Sequence, residues 1–155
     1  MGSQLTATVD AARWGVETPA EVGQYLGMVG RVQTLTLTDD RRDALRRSLG
    51  MDVTDSATNL ADFCPDPLVL ALESGLPRVR LLDRVVDGGS EWQQIADIRP
   101  TTLVAVSRIA AIAERTSSAE RRMIRTCYET EFRNARGLLV GRARGFSIDM
   151  ERVAP

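Results

Sequence analysis

Histidine is missing from this chain of 155 residues, and its 20 basic side chains are all arginine. The first absence removes the side chain that most often acts as a general base near neutral pH and most often binds a metal. The two cysteines, Cys64 and Cys127, are far apart in sequence and form no metal-type pair. Without histidine beside them they offer no zinc site, so no metal is expected, and they read as reduced, partly buried thiols. Surplus charge is missing as well. The 20 arginines face 21 acidic residues for a formal net charge of -1, so there is no electrostatic case for nucleic acid or an anionic membrane as partner. No apolar run approaches the ~20 residues that a membrane span needs. The start, Met1-Gly2-Ser3-Gln4-Leu5-Thr6, lacks the basic and apolar regions of a secretory signal, so a cytoplasmic location is expected.

What is present suits one domain. The length is that of a single unit, and a hydrophobic content of 43% is enough for a core. Residues 1–28 read as a loose N-terminal arm, with a short helical turn near Ala11 to Trp14. The domain proper is expected over 29–155. Residues 31–38 alternate Val32, Thr34 and Thr36 against Gln33, Leu35 and Leu37, which predicts a strand. Thr38 then suits a helix N-cap, Asp39 and Asp40 favour the first turn, and Gly50 suits the position after the end. In that helix Ala44, Leu45, Ser48 and Leu49 are expected to face inward, with Arg41, Arg42, Arg46 and Arg47 in water.

Residues 51–64 look irregular. Asp66 as N-cap and Pro67 at the first position open a second helix, which Gly75 and Pro77 end. Leu68, Val69, Leu70, Ala71 and Leu72 make it apolar all round, so burial on every side is expected. Strands are predicted at about 82–86, 91–98, 102–115, 121–133 and 137–150. In 121–133 the set Ile124, Thr126, Tyr128, Thr130 and Phe132 alternates with Arg125, Cys127, Glu129 and Glu131, the pattern of a half-exposed antiparallel strand. Asn134 to Gly137 reads as a hairpin connection. In the last strand Gly141, Ala143, Gly145 and Ser147 share a face with Leu139, and such small residues let another element approach closely. An early strand, a buried helix and long antiparallel strands make an α+β domain with a sheet wrapped around a helix.

The stretch Val86-Asp87-Gly88-Gly89-Ser90-Glu91-Trp92 resembles a segment of MaoC-like proteins of the hydroxyacyl-thioester dehydratase type. Further matches follow in order: Ile98-Arg99-Pro100, Ile112-Ala113-Glu114-Arg115, and the hairpin from Glu129 to Val140 through Asn134 and Gly137. Upstream, Thr36 to Arg41 resembles the family's first strand-to-helix junction. The resemblance spans about residues 29–150 and implies the hot-dog fold. It also implies hydration of enoyl thioesters or dehydration of 3-hydroxyacyl thioesters, with no cofactor. Two departures stand out. Thr101-Thr102 replaces the family's Gly-Asp after Arg-Pro, and the Asp…His pair of the active members is absent.

That chemistry needs an acid and a base near the α-carbon, and donors that polarise the thioester carbonyl. The N-terminus of the second helix, near Asp66, Leu68 and Val69, is the candidate for the donors. The candidates for proton transfer are Asp55, Asp62 and Asp87, should burial raise their pKa, together with Tyr128. The plain alternative is that the carboxylates cap and turn the backbone and that Tyr128 packs beneath the helix. Trp92 is a candidate for lining the substrate site, or else seals the core edge or a dimer contact. Arg99, Arg142 and Arg144 could hold the phosphates of a coenzyme A or carrier-protein arm, or are exposed sheet surface.

Three readings stand side by side. The chain is a half without its own base that pairs with a His-bearing MaoC subunit. It is a repurposed dehydratase or cyclase of polyketide biosynthesis that works with carboxylates on a polyketide intermediate. Or it is a non-catalytic binding module. In each, association through a sheet edge is expected, as a homodimer or a heterodimer.

Overall fold

The computed structural model describes residues 14, 17–54 and 58–152. A 3-10 helix (Ala20–Tyr25) leads into β1 (Gln33–Thr36) and α1 (Asp39–Ser48). A 3-10 turn (Leu60–Asp62) and α2 (Pro67–Glu73) follow, then β2 (Arg84–Gln94), β3 (Thr102–Thr116), β4 (Arg122–Arg133) and β5 (Leu139–Met150). The strands form one antiparallel sheet in the order β1-β3-β4-β5-β2. α2 lies across β4 and β5. A curled sheet around a central helix is the hot-dog arrangement expected from the sequence.

Local signals place the helices. Thr38 Oγ1 accepts the Arg41 N–H at 3.2 Å, and Gly50 takes a positive φ of 69° just past the end of α1. Asp66 caps α2 with Pro67 in its first turn, and Gly75, at φ 94°, ends it. Hairpin β4–β5 turns where expected. Asn134 Oδ1 accepts from Arg136 N at 2.9 Å and Leu138 N at 3.1 Å, and Gly137 has φ 77°.

The small residues of β5 have a visible purpose. A Cβ on Gly145 would lie 2.3 Å from Leu68 N, and one on Gly141 would lie 2.8 Å from Leu60 Cδ2. The backbone of α2 therefore rests on β5 itself. Beneath and around it run two buried clusters. One joins Leu37, Phe63, Leu70, Leu103 and Phe132, and the other joins Val22, Leu68, Ala71, Ile109, Ile124 and Tyr128.

Four expectations need correction. First, α1 does not bury its apolar side. Leu49 is 65% exposed while Arg46 is 3% exposed, because Arg46 pairs with the buried Asp62 and that tertiary partner overrides the helical pattern. Second, α2 is open on one side, since Val69 is exposed. Third, the two segments expected at 82–86 and 91–98 are one strand. β2 runs through Asp87-Gly88-Gly89 by a shift of register against β5 between Asp87 and Ser90, and Gly89 supplies the positive φ of 92° that such a bulge needs. Fourth, the stretch before residue 29 is no loose arm where it is described. Trp14 and Val22 are buried, and Gly27 to Gly30 bond the edge of β3 through Gly27 N to Ile109 O, Ile109 N to Met28 O and Gly30 N to Ser107 O, each at 2.9 Å. The turn expected near Ala11 lies outside the described residues.

Candidate functional site

The candidate site is the inner face of the sheet where α2 begins, with the chain that enters and leaves this helix. On the entry side, Asp62 and Asn59 close a capping box on the 3-10 turn. Asp62 Oδ2 accepts from Asn59 N at 2.8 Å and from Arg46 Nη2 at 2.9 Å. Its carboxylate is thus engaged by a backbone amide and a buried guanidinium. Such an ion pair resists the loss of either partner, because the survivor would be a lone buried charge.

Asp66 comes next. Its Oδ1 accepts from Leu68 N at 2.8 Å and Val69 N at 3.4 Å. These are the two amides expected to polarise a thioester carbonyl, and here the chain's own capping carboxylate holds them.

On the exit side, the segment after α2 is pinned to the sheet at two points. Tyr128 OH donates to Pro77 O at 2.9 Å and accepts from Val79 N at 3.0 Å. Burial raises the pKa of this phenol, and the Val79 amide only partly opposes it. Asp149 Oδ2 accepts from Leu81 N and, at 2.8 Å, from Leu82 N. Asp149 carries no obvious sequence signal, being one acidic residue near the end of a strand. Its alternation with Ser147 and Gly145 on the inner face was the only available hint. Asp149 Oδ1 and Ser147 Oγ are buried and find no partner among the described residues.

The other sequence candidates are dispersed. Asp87 is exposed in the β2 bulge, where its Oδ1 accepts from Gly89 N at 2.7 Å. Asp55 lies outside the described residues. Trp92 is half-buried on the inner face and stacks on Phe132, with ring centroids 6.2 Å apart, so it closes the edge of the core. Arg99 is exposed. Arg142 and Arg144 stand on the outer face, away from α2, in ion pairs with Glu131 and Glu129. Asp62, Asp66 and Tyr128 therefore gather around α2 with Leu68 and Val69, whereas Asp87 and the arginines do not join them. Among the described residues no three His, Cys, Asp or Glu side chains gather as a metal site, and no helix is long and apolar enough to cross a membrane.

No protein-family model and no curated protein matches the chain. Solved structures do match in fold. One is the C-terminally truncated HadBC (3R-hydroxyacyl-ACP dehydratase) complex from Mycobacterium tuberculosis, at 14% identity with a TM-score of 0.54 over 80% of this chain and 96% of that one. Another is a MaoC-like dehydratase from Rhodospirillum rubrum, at 17% identity and TM-score 0.45 over 83% and 94%. A third is the R-hydratase PhaJ1 from Pseudomonas aeruginosa, at 10% identity and TM-score 0.40 over 84% and 88%. With its sheet order, its central helix and the agreement with HadBC, the chain has a hot-dog fold.

Proposed function

We propose that this chain is a subunit of an acyl-thioester hydratase or dehydratase whose base comes from a partner. The observation that carries the reading is chemical. The fold is that of a dehydratase, yet the chain has no histidine, and the carboxylates of the 3-10 turn and of the α2 cap are already committed. Asp62 is held by Arg46 and a backbone amide, and Asp66 by the amides of Leu68 and Val69. Neither is a free base. The structural neighbour HadBC is itself a complex, which supports a two-chain arrangement; this step rests on fold analogy.

The partner's place is the open edge of β2. Among the described residues this strand of 11 residues pairs with β5 alone, and it is exposed along most of its length. An edge of that length offers a row of backbone donors and acceptors to a second sheet. The opposite edge is occupied by the short β1 and by Gly27 to Gly30. In this arrangement the chain supplies wall and support, with Trp92, on β2 itself, beside the joint, and the partner supplies the imidazole. The substrate is an acyl thioester of coenzyme A or of a carrier protein.

The test is hydration of crotonyl-CoA, followed by loss of enoyl-thioester absorbance. The chain is assayed alone and mixed with a His-bearing hot-dog subunit, with the mass recorded in solution. Activity only in the mixture, together with a mixed complex, is the expected result. Turnover by the chain alone would overturn the need for a partner. No turnover and no mixed complex with any such subunit would overturn the reading.

A further inference from the structure

Two buried polar side chains fix the chain that leaves α2, and that chain carries positive charge. Tyr128 ties Pro77 and Val79, and Asp149 ties Leu81 and Leu82. Both side chains are buried. Asp149 makes its tie although its Oδ1 is buried without a partner among the described residues, a condition that costs stability. Between the two ties Val79 points inward and is buried, while Arg78 and Arg80 on either side of it are exposed. The ties therefore preset the backbone from which both guanidinium groups project.

A third arginine lies along the end of α2. The Arg31 backbone N–H donates to Ser74 O at 2.7 Å, and Arg31 Nη2 donates to Glu73 O at 3.2 Å. From Gly75, beside the Arg31 side chain, the chain reaches Arg78 in three residues, a path of at most about 11 Å. Between Glu73 and Asp83 there are two arginines and no acid. None of Arg31, Arg78 and Arg80 forms an ion pair with a carboxylate among the described residues. The arginines of β5 differ, since Arg142 and Arg144 are held by Glu131 and Glu129.

We propose that Arg78 and Arg80, with Arg31 beside them, seat the phosphates of the pantetheine arm that carries the acyl thioester. The proposal rests on the reading of this chain as part of a hydratase or dehydratase. Arginine offers a planar fork of donors that meets phosphate oxygens in pairs. A backbone fixed beforehand loses less freedom when such a ligand binds. Because α2 has seven residues, the seat lies about 10 Å along the helix from its start, a length that an extended pantetheine arm spans. Coenzyme A and a loaded carrier protein both present this phosphate chemistry.

Equilibrium dialysis of the chain alone with coenzyme A, phosphopantetheine and pantetheine tests the seat. The double variant Arg78→Gln/Arg80→Gln is expected to bind coenzyme A about tenfold more weakly than wild type. Added salt should weaken wild-type binding, and pantetheine, which has no phosphate, should not distinguish the two proteins. Equal losses for coenzyme A and phosphopantetheine would assign the seat to the phosphate of the arm itself, which carrier proteins share. A loss for coenzyme A alone would assign it to the phosphates of the nucleotide. Both arginines are exposed, so the double variant should keep the wild-type Tm. Tyr128→Phe, which keeps the charges but frees the segment, should weaken coenzyme A binding by a smaller factor. Coenzyme A bound equally by wild type and the double variant, or not bound by wild type at all, overturns the proposal. Neither result depends on turnover. A seat that behaves as expected in a chain that finds no active partner would count against the partner reading alone.

Discussion

The two faces of β4 differ in how they are buried. On the inner face Ile124, Tyr128 and Phe132 lie under α2 and the segments around it, and the contact is made by other secondary-structure elements. On the outer face no described helix lies above the strand, and yet Cys127 and Glu129 are buried. Around Glu129 the cover comes from side chains of the sheet itself. Arg108, Glu129, Arg144 and Glu91 stand opposite one another on four adjacent strands. Glu129 sits between Arg108 and Arg144, with Arg144 Nε 2.9 Å from Glu129 Oε2 and Arg144 Nη1 3.8 Å from Glu91 Oε2. One face is buried by packing and the other by a row of alternating charge. The second arrangement needs no partner element, but it depends on pH and salt as the first does not.

The largest way to break this comparison is on the inner face. Gly145→Ala puts a Cβ against the Leu68 backbone and forces α2 off the sheet, at a cost of about 3 kcal/mol. Thermal unfolding should show a fall of roughly 10 °C in Tm. Tyr128→Phe removes the hydroxyl that pins Pro77 and Val79. It leaves a buried amide and carbonyl without that partner, at a cost of about 2 kcal/mol by denaturant unfolding.

Changes on the outer face should be smaller and conditional. Glu129→Gln should cost about 1 kcal/mol at pH 7 and low salt, and less as salt is added. Burial pushes the Glu129 carboxyl up, but Arg108 and Arg144 together outweigh it and hold the group below its ordinary value of 4.5. A carboxylate with a lowered pKa stabilises the fold above the unfolded-state value, and that contribution is lost as pH falls through the folded value. Acid unfolding of wild type should therefore steepen below about pH 4.5. The Gln variant should lack that part of the slope, and equal slopes for the two proteins would remove the charge row from the account.

The smallest effect concerns the thiols. Burial pushes Cys64 up to about 12 and Cys127 up to about 11. Neither should react with a disulfide reagent at pH 8 in the folded protein, and both should react in denaturant. Faster modification of Cys127 in Trp14→Ala than in wild type would tie its protection to the buried Trp14 ring, over which Arg115 and Arg125 stand.

Much of the fold was legible because it rests on short-range signals. Thr38 and Asp66 cap helices through amides two or three residues away, and Asn134 shapes its own hairpin. The alternation in β4 separated its two faces, but the outer one is not the exposed face expected, since Cys127 and Glu129 are buried. The candidate site was legible in part. Asp66, Leu68 and Val69 stand where the sequence placed them, at the start of the central helix. That the amides are already taken by Asp66, and that Asp62 is neutralised by a helix arginine, could not be read from spacing.

The sequence by itself determined where helices start and stop, which strand face turns inward, and that no imidazole is available for chemistry. Those properties depend on residues within a few positions of one another, or on composition alone. Only the tertiary structure decided that α1 buries Arg46 in place of Leu49, that Asp149 anchors Leu81 and Leu82, and that Trp14 is buried against Arg115 and Arg125. Each of these joins residues distant in sequence, 16 apart for Arg46 and Asp62 and 68 apart for Asp149 and Leu81. Their strength comes from buried charge and hydrogen bonds that exist only once the sheet has brought the partners together.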